Sequence, residues 1–181
     1  MPPLIRFVRQ LEARPAEWQH PAAHVRTYLG EQDIEPWLAI RNAAFAFLGG
    51  RPWTAADFRR EFLAQPWWPA ATLWFAEVGG DAPTHTSCNP DASGRSRGLP
   101  VGTLLLAPAE RPAGCAILRW LAVHPAWQRQ GIARLLVRQA EMAAWDTGWH
   151  KIVAETHARW QAAVALYTAC GYTCHPAHSA L

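Results

Sequence analysis

The chain has 181 residues, half of them apolar, with 11 tryptophans, which is enough for one domain with a substantial core. Its formal net charge is +3, Lys151 is the sole lysine, and no run of like charges occurs, which excludes the profile of a nucleic-acid binder. No stretch reaches the roughly 20 apolar residues of a membrane helix, residues 1–10 lack the apolar core of a signal peptide, and four cysteines without an export signal point to free thiols in the cytoplasm.

In chain order, residues 1–23 read as a proline-bearing N-terminal extension, in which 4–8 can form a short extra strand. Residues 24–29 alternate and read as the first strand of a main domain spanning 24–181. Ile34, Trp37, Leu38, Phe45 and Leu48 then recur on one helical face, and Gly49-Gly50 stops that helix. Thr54-Ala55-Ala56-Asp57 has the spacing of a capping box, opening a second helix with Phe58 and Phe62 on its inner edge and Pro66 at its end. Residues 72–78 are rich in strand formers. The stretch 79–100 is filled with Gly, Ser, Pro, Asp, Asn and Thr and reads as a flexible loop between two hairpin strands, the second at 101–107. Residues 115–123 are almost continuously apolar, as a central strand requires. A helix over 126–145, a strand over 151–156, a helix over 159–170 ended by Gly171, and a last strand within 172–181 complete the order. An antiparallel meander followed by a β-α-β crossover gives an α/β (α+β) domain: a mixed central sheet with helices on both faces.

The stretch from Leu121 to Ala133, LAVHPAWQRQGIA, carries the chemistry. A central strand ends, Pro125 breaks it, and a helix follows with Gly131 near its start. A helix N-terminus offers unpaired N–H groups and the positive end of its dipole. Gly131 and Ala133 let a phosphate approach the backbone closely, and Arg129 and Arg134 add positive charge, so the turn suits a phosphorylated ligand. On residue chemistry alone, a tight packing turn is the alternative.

Gln128-x-x-Gly131-x-Ala133 resembles the Arg/Gln-x-x-Gly-x-Gly/Ala signature of the GNAT N-acyltransferase family. Downstream, Leu166-Tyr167-x-x-x-Gly171-Tyr172 is similar to that family's Leu-Tyr-x-x-x-Gly-Phe/Tyr ending. The pair, in the right secondary-structure order, spans about a third of the chain. The resemblance implies acetyl-CoA as co-substrate and an amine as acceptor. It implies that backbone groups of Leu121 and Val123 hold the pantetheine arm. Gln128 and Arg134 would flank the amides of Arg129, Gln130, Gly131, Ile132 and Ala133, which hold the pyrophosphate. It implies that Tyr167 protonates the leaving thiolate. The family often has Asn seven residues before that Tyr; here Trp160 stands there, packing against the arm without copying an amide's paired hydrogen bonds.

An attacking amine must lose a proton. The strand 115–123 holds no carboxylate, so Glu155, Glu77, His124 or a water relay are the candidates. Residues 51–54 and 66–68 are similar to the corresponding stretch of mycothiol synthases, which are twice this length with two tandem domains, so the acceptor is not carried over from them. The preferred reading is N-acetylation of a small-molecule amine, with a peptide acceptor or a non-catalytic acyl-CoA-binding module as alternatives. No metal is expected. Cys170, Cys174, His175 and His178 lack a standard zinc spacing. A nucleotide-binding reading fails for want of a Gly-x-x-x-x-Gly-Lys-Ser/Thr loop. An open sheet edge after Gly171 leads to an expected homodimer.

Overall fold

The computed structural model describes residues 4–79, 98–109 and 114–176. One seven-stranded sheet is formed by β1 (Leu4–Gln10), β2 (Ala23–Thr27), β3 (Thr72–Val78), β4 (Leu99–Pro108), β5 (Cys115–Val123), β6 (Lys151–His157) and β7 (Thr173–Pro176). Their order is β2-β3-β4-β5-β6-β1-β7. Only β5 and β6 are parallel, joined through the crossover helix α3 (Ile132–Asp146).

Helices cover both faces. On one face α3 and α4 (Gln161–Ala169) bury Leu136, Ala140 and Tyr167 with Phe7, Leu104 and Ile152. On the other, α1 (Ile34–Ala44) and α2 (Ala55–Phe58, continuing as a π-helical turn over Arg59–Leu63) bury Trp37, Ile40, Phe58 and Phe62 against Phe75 and Leu105. Thr54 and Asp57 close the capping box anticipated at the start of α2. This is the mixed sheet with two-sided helices implied by the element order.

Four boundaries differ. The stretch read as an extension supplies β1, which lies inside the sheet, antiparallel to both β6 and β7. Phe7 is fully buried, and Arg9 pairs with the buried Glu141 at 2.9 Å, so residues 4–10 are part of the core. The first helix stops at Ala44, and a separate 3-10 turn follows at Ala46–Leu48. The helix expected from 126 begins at Ile132. A 3-10 turn covers Pro125–Trp127, and left-handed backbone at Arg129 (φ 63°) and Gly131 (φ 88°) interrupts the path between them. Of the stretch read as a flexible loop, residues 80–97 lie outside the described residues, and 99–100 already belong to β4. His178, proposed with the C-terminal cysteines, also lies outside them.

Tyr167 and Tyr172 are both buried, and burial pushes both phenols above their ordinary value by disfavouring the phenolate. Unfolded tyrosines ionise near pH 10, whereas these hold their protons, so unfolding releases protons at alkaline pH. Stability from this source is fully present below about pH 10 and falls above it by about 1.4 kcal/mol per pH unit per tyrosine. Urea unfolding followed from neutral to strongly alkaline pH is expected to show a midpoint that declines above about pH 10. A flat midpoint there, with phenolate absorbance already developed in the folded protein, would show the two rings to be accessible.

Candidate active site

A cleft of about 910 Å³ opens where β5 and β6 part. The two strands pair from Cys115 with Lys151 to Leu118 with Ala154, and no further. Beyond Leu118, β5 bulges: Leu105 of β4 faces Arg119 but Thr103 faces Ala122, so β5 carries an extra residue. Trp120 absorbs the bulge with a φ of 55°, rare for a bulky side chain and a form of stored strain that recurs at functional sites. The bulge turns the β5 backbone away from β6. Leu121 is thereby left half-buried at the cleft with no ladder partner in β6.

From the splay the cleft runs to the N-terminus of α3. Leu121, Val123, Gln128, Arg129, Gly131, Ala133, Arg134 and Trp160 all line it, as do Tyr167 and Glu155. The Gln128 side chain donates to the Val123 carbonyl at 3.0 Å, tying the turn to the strand end. Left-handed positions at Arg129 and Gly131, on either side of Gln130, bend the chain just ahead of α3, where the positive end of the helix dipole lies. Arg129 and Arg134 form no ion pair with a described carboxylate, so their charge is available to a ligand. An elongated, apolar-walled cleft with an anion-suited end fits an acyl-coenzyme A.

Two expected residues of the turn do not line the cleft. The Ile132 side chain is in the core at 1 % exposure, leaving only its backbone for a ligand. The Gln130 carbonyl is 2.6 Å from His20 Nε2. His20 and Trp18, from the segment leading into β2, close over Gly131: a Cβ there would lie 3.3 Å from Trp18 Cη2 and 3.4 Å from His20 Cδ2. Gly131→Ala therefore combines left-handed strain, about 1–2 kcal/mol, with crowding against these rings. The expected outcome is a roughly tenfold weaker acetyl-CoA affinity by titration calorimetry. Unchanged affinity would mean that the turn tolerates a side chain and is not the anion end.

Tyr167 reaches the cleft from α4 with its ring packed on Phe7 at 5.3 Å and Tyr172 at 5.5 Å between centroids. Its position thus depends on β1. Trp160 precedes α4, packs on His157, Phe45 and Phe47, and its buried indole N–H has no partner among the described residues.

The carboxylates separate clearly. Glu155 lies on β6 just past its last residue paired with β5, lines the cleft, and is held by Arg6 at 2.8 Å. Glu77 is not in the cleft. It is 2 % exposed on β3, bonded to Arg26 at 2.6 Å and beside His24 at 3.4 Å, in a buried network that also includes Asp33. Arg26 and His24 tie it into the sheet, away from the cleft where a base is expected. His124 caps the 3-10 turn, its Nδ1 accepting from Ala126 N, and it does not line the cleft either. A residue that sequence reasoning missed is Glu61, which lines the cleft from the π-helical turn after α2. Arg41 of α1, Phe45 at its C-terminal end and Trp120 of β5 also line the cleft; in sequence Phe45 reads only as part of the helix's inner face, and nothing local marks Arg41 or Trp120.

Among the described residues no group of three His, Cys, Asp or Glu could hold a metal ion, and no helix is long and apolar enough to cross a membrane.

The acetyltransferase (GNAT) family model matches residues 34–172. A mycothiol acetyltransferase from Mycobacterium ulcerans is 31% identical over 136 residues, covering 74% of this chain and 39% of that protein. The chain thus spans about two fifths of the length of the curated relative it matches. Among solved structures, a GCN5-related N-acetyltransferase from Sphaerobacter thermophilus superposes with a TM-score of 0.66 at 18% identity, over 97% of this chain and 50% of that one. AAC(6')-Iy, in complex with the bisubstrate analogue CoA-S-monomethyl-acetylneamine, superposes with a TM-score of 0.58 at 14% identity, over 88% and 95% of the two chains.

Proposed function

The chain belongs to the acetyltransferase (GNAT) family, and on that premise we propose that it transfers the acetyl group of acetyl-CoA to the primary amine of a small molecule, by direct attack in a ternary complex. The observation that carries this reading is the continuity of the cleft. The β5–β6 splay, the glycine turn at α3 and the Tyr167 phenol all line one cavity.

In this reading the pantetheine arm lies along the free backbone of Leu121 beside Val123. The pyrophosphate rests on the turn from Gln128 to Ala133, including the amides of Gln130 and Ile132, with Arg129 and Arg134 beside it and Trp160 against the arm. The amine nitrogen attacks the thioester carbonyl, the carbon–sulfur bond breaks, and coenzyme A leaves. Tyr167 gives its proton to the departing thiolate. Burial keeps that phenol protonated throughout the working pH range, so it enters the reaction as an acid and never as a base. The proton from the amine passes to a carboxylate. Of those singled out in sequence, Glu155 alone faces the cleft, and Glu61 joins it from α2's continuation. The exposed and buried free thiols at Cys174, Cys115 and Cys170 support a cytoplasmic site for the reaction, and β7 at the edge of the sheet is where a second copy of the chain would pair in a homodimer.

The first test is a thermal shift with coenzyme A and acetyl-CoA, with ATP and NAD as controls, followed by thiol release with amines. A ligand at a hundredfold its Kd adds about 2.7 kcal/mol of stability. A shift with the CoA compounds alone, then thiol release, is expected. No shift at millimolar acetyl-CoA would remove the cofactor assignment. A shift with no release from any amine would leave an acyl-CoA-binding module.

A further inference from the structure

Arg41 lines the cleft from α1, on the side away from the α3 turn. Its guanidinium carbon is 4.4 Å from the ring centre of Trp53, 5.7 Å from that of Phe45 and 6.0 Å from that of Trp120. Among the described residues its side chain makes one hydrogen bond, from NH1 to the Asn42 amide oxygen at 3.1 Å, and its buried Nε makes none. It forms no ion pair with a described carboxylate. The carboxylate that acts on it through space, Asp57, is already taken: it accepts from Arg51, Arg60 and both the hydroxyl and the N–H of Thr54. Burial lowers the Arg41 pKa against the pull of Asp57, the mark of a charge that has lost water without gaining a counter-ion.

Aromatic faces return part of that loss by cation–π attraction but offer no acceptor for the N–H groups. Such a guanidinium is completed by an anion arriving from the cleft. We propose that Arg41 anchors a carboxylate of the acceptor, so that the amine acetylated here belongs to an apolar amino acid or a close analogue. The inference rests on the acetyltransferase reading above and narrows it.

Three observations define that class. The anchor is arginine, whose planar fork takes a carboxylate through two parallel bonds. It stands 6.0 Å from the ring centre of Trp120, the bulge residue of β5, and both line the same cleft as Leu121, so the anchor opens into the cavity proposed to hold the thioester. Phe45, Phe47 and Trp120 wall the space between with apolar surface. Glu61, which has no ion-pair partner among the described residues, supplies negative charge to the same cleft, whereas Glu155 is neutralised by Arg6; a zwitterion would be oriented with its ammonium toward Glu61 and its carboxylate on Arg41.

The test compares phenylalanine with phenethylamine, which differ by the carboxylate, in thiol release from acetyl-CoA at equal concentrations of free amine. The wild-type chain is expected to prefer phenylalanine in kcat/KM by roughly tenfold to a hundredfold, the range of a charge-assisted bond. In Arg41→Gln that preference collapses toward unity, mainly through KM for phenylalanine, and Arg41→Lys retains an intermediate preference. A wild-type preference of one or less, or the same preference in Arg41→Gln as in wild type, overturns the inference while leaving acetyl transfer intact. If Arg41→Gln does not fold, the wild-type ratio and Arg41→Lys decide. If no amine releases thiol while acetyl-CoA still raises the melting temperature, the transfer reading itself falls and this inference falls with it.

Discussion

Replacing Tyr167 with Phe is expected to lower kcat by roughly a hundredfold to ten-thousandfold, the usual range for loss of a positioned general acid. The variant should fold, because the ring contacts to Phe7 and Tyr172 are kept. KM for acetyl-CoA should change little, since the hydroxyl acts on the leaving thiolate and not on the bound thioester. The pH profile separates this role from a structural one. Burial holds the phenol above its ordinary value, so Tyr167 contributes no basic limb below about pH 10. The acidic limb belongs to the proton acceptor and should move in Glu155→Gln or Glu61→Gln instead. Steady-state kinetics across pH check both statements; undiminished turnover in Tyr167→Phe at every pH would remove the tyrosine from the mechanism.

Removing residues 1–22 is expected to abolish cooperative folding, although those residues precede the region matched by the family. Deletion takes β1 out from between β6 and β7, so β7 loses its pairing and β6 loses one neighbour. It empties the place of Phe7 beneath Tyr167, a loss of about 3–5 kcal/mol for a fully buried Phe. It also strips Glu141, fully buried on α3, of its bond to Arg9, leaving Arg138 as its one ion-pair partner among the described residues. Breaking one side of a buried charge cluster costs about 3–5 kcal/mol more. Together these match the whole stability of a typical domain. Circular dichroism and urea melts of the truncated chain are the check, and a cooperative transition near that of the full chain would show that β1 is dispensable. The single change Arg9→Ala isolates the electrostatic part. The Arg9 guanidinium also reaches the Cys170 carbonyl at the end of α4, so its loss should loosen the helix that carries Tyr167.

The amino-acid order alone determined the class of fold and singled out the turn at the α3 end of the cleft. Both are local information: periodicity places strands and helices, and Gly131, eight residues past the end of β5, sits in a turn that a phosphate can approach. Gln128, Gly131 and Ala133 could be singled out because their spacing resembles the family's signature and is read within one short stretch of chain. Tyr167 was singled out by the resemblance of Leu166-Tyr167-x-x-x-Gly171-Tyr172 to the family's ending, five residues before Tyr172.

Whatever depended on partners distant in the chain was decided by the tertiary structure. Glu77 and Glu155 are equally plausible as bases in a linear reading. The fold gives Glu77 to Arg26 and His24 inside the sheet and leaves Glu155 at the splay, because β6 parts from β5 one residue before it. Residues 4–10 look separable until the sheet is assembled, when the gap between β6 and β7 takes them up across more than 140 residues of sequence. Arg41 carries no local signal at all: its missing counter-ion is visible only once Asp57 is seen to be shared by Arg51 and Arg60. Charge balance and strand pairing are properties of neighbours in space, and a sequence records neighbours along the chain.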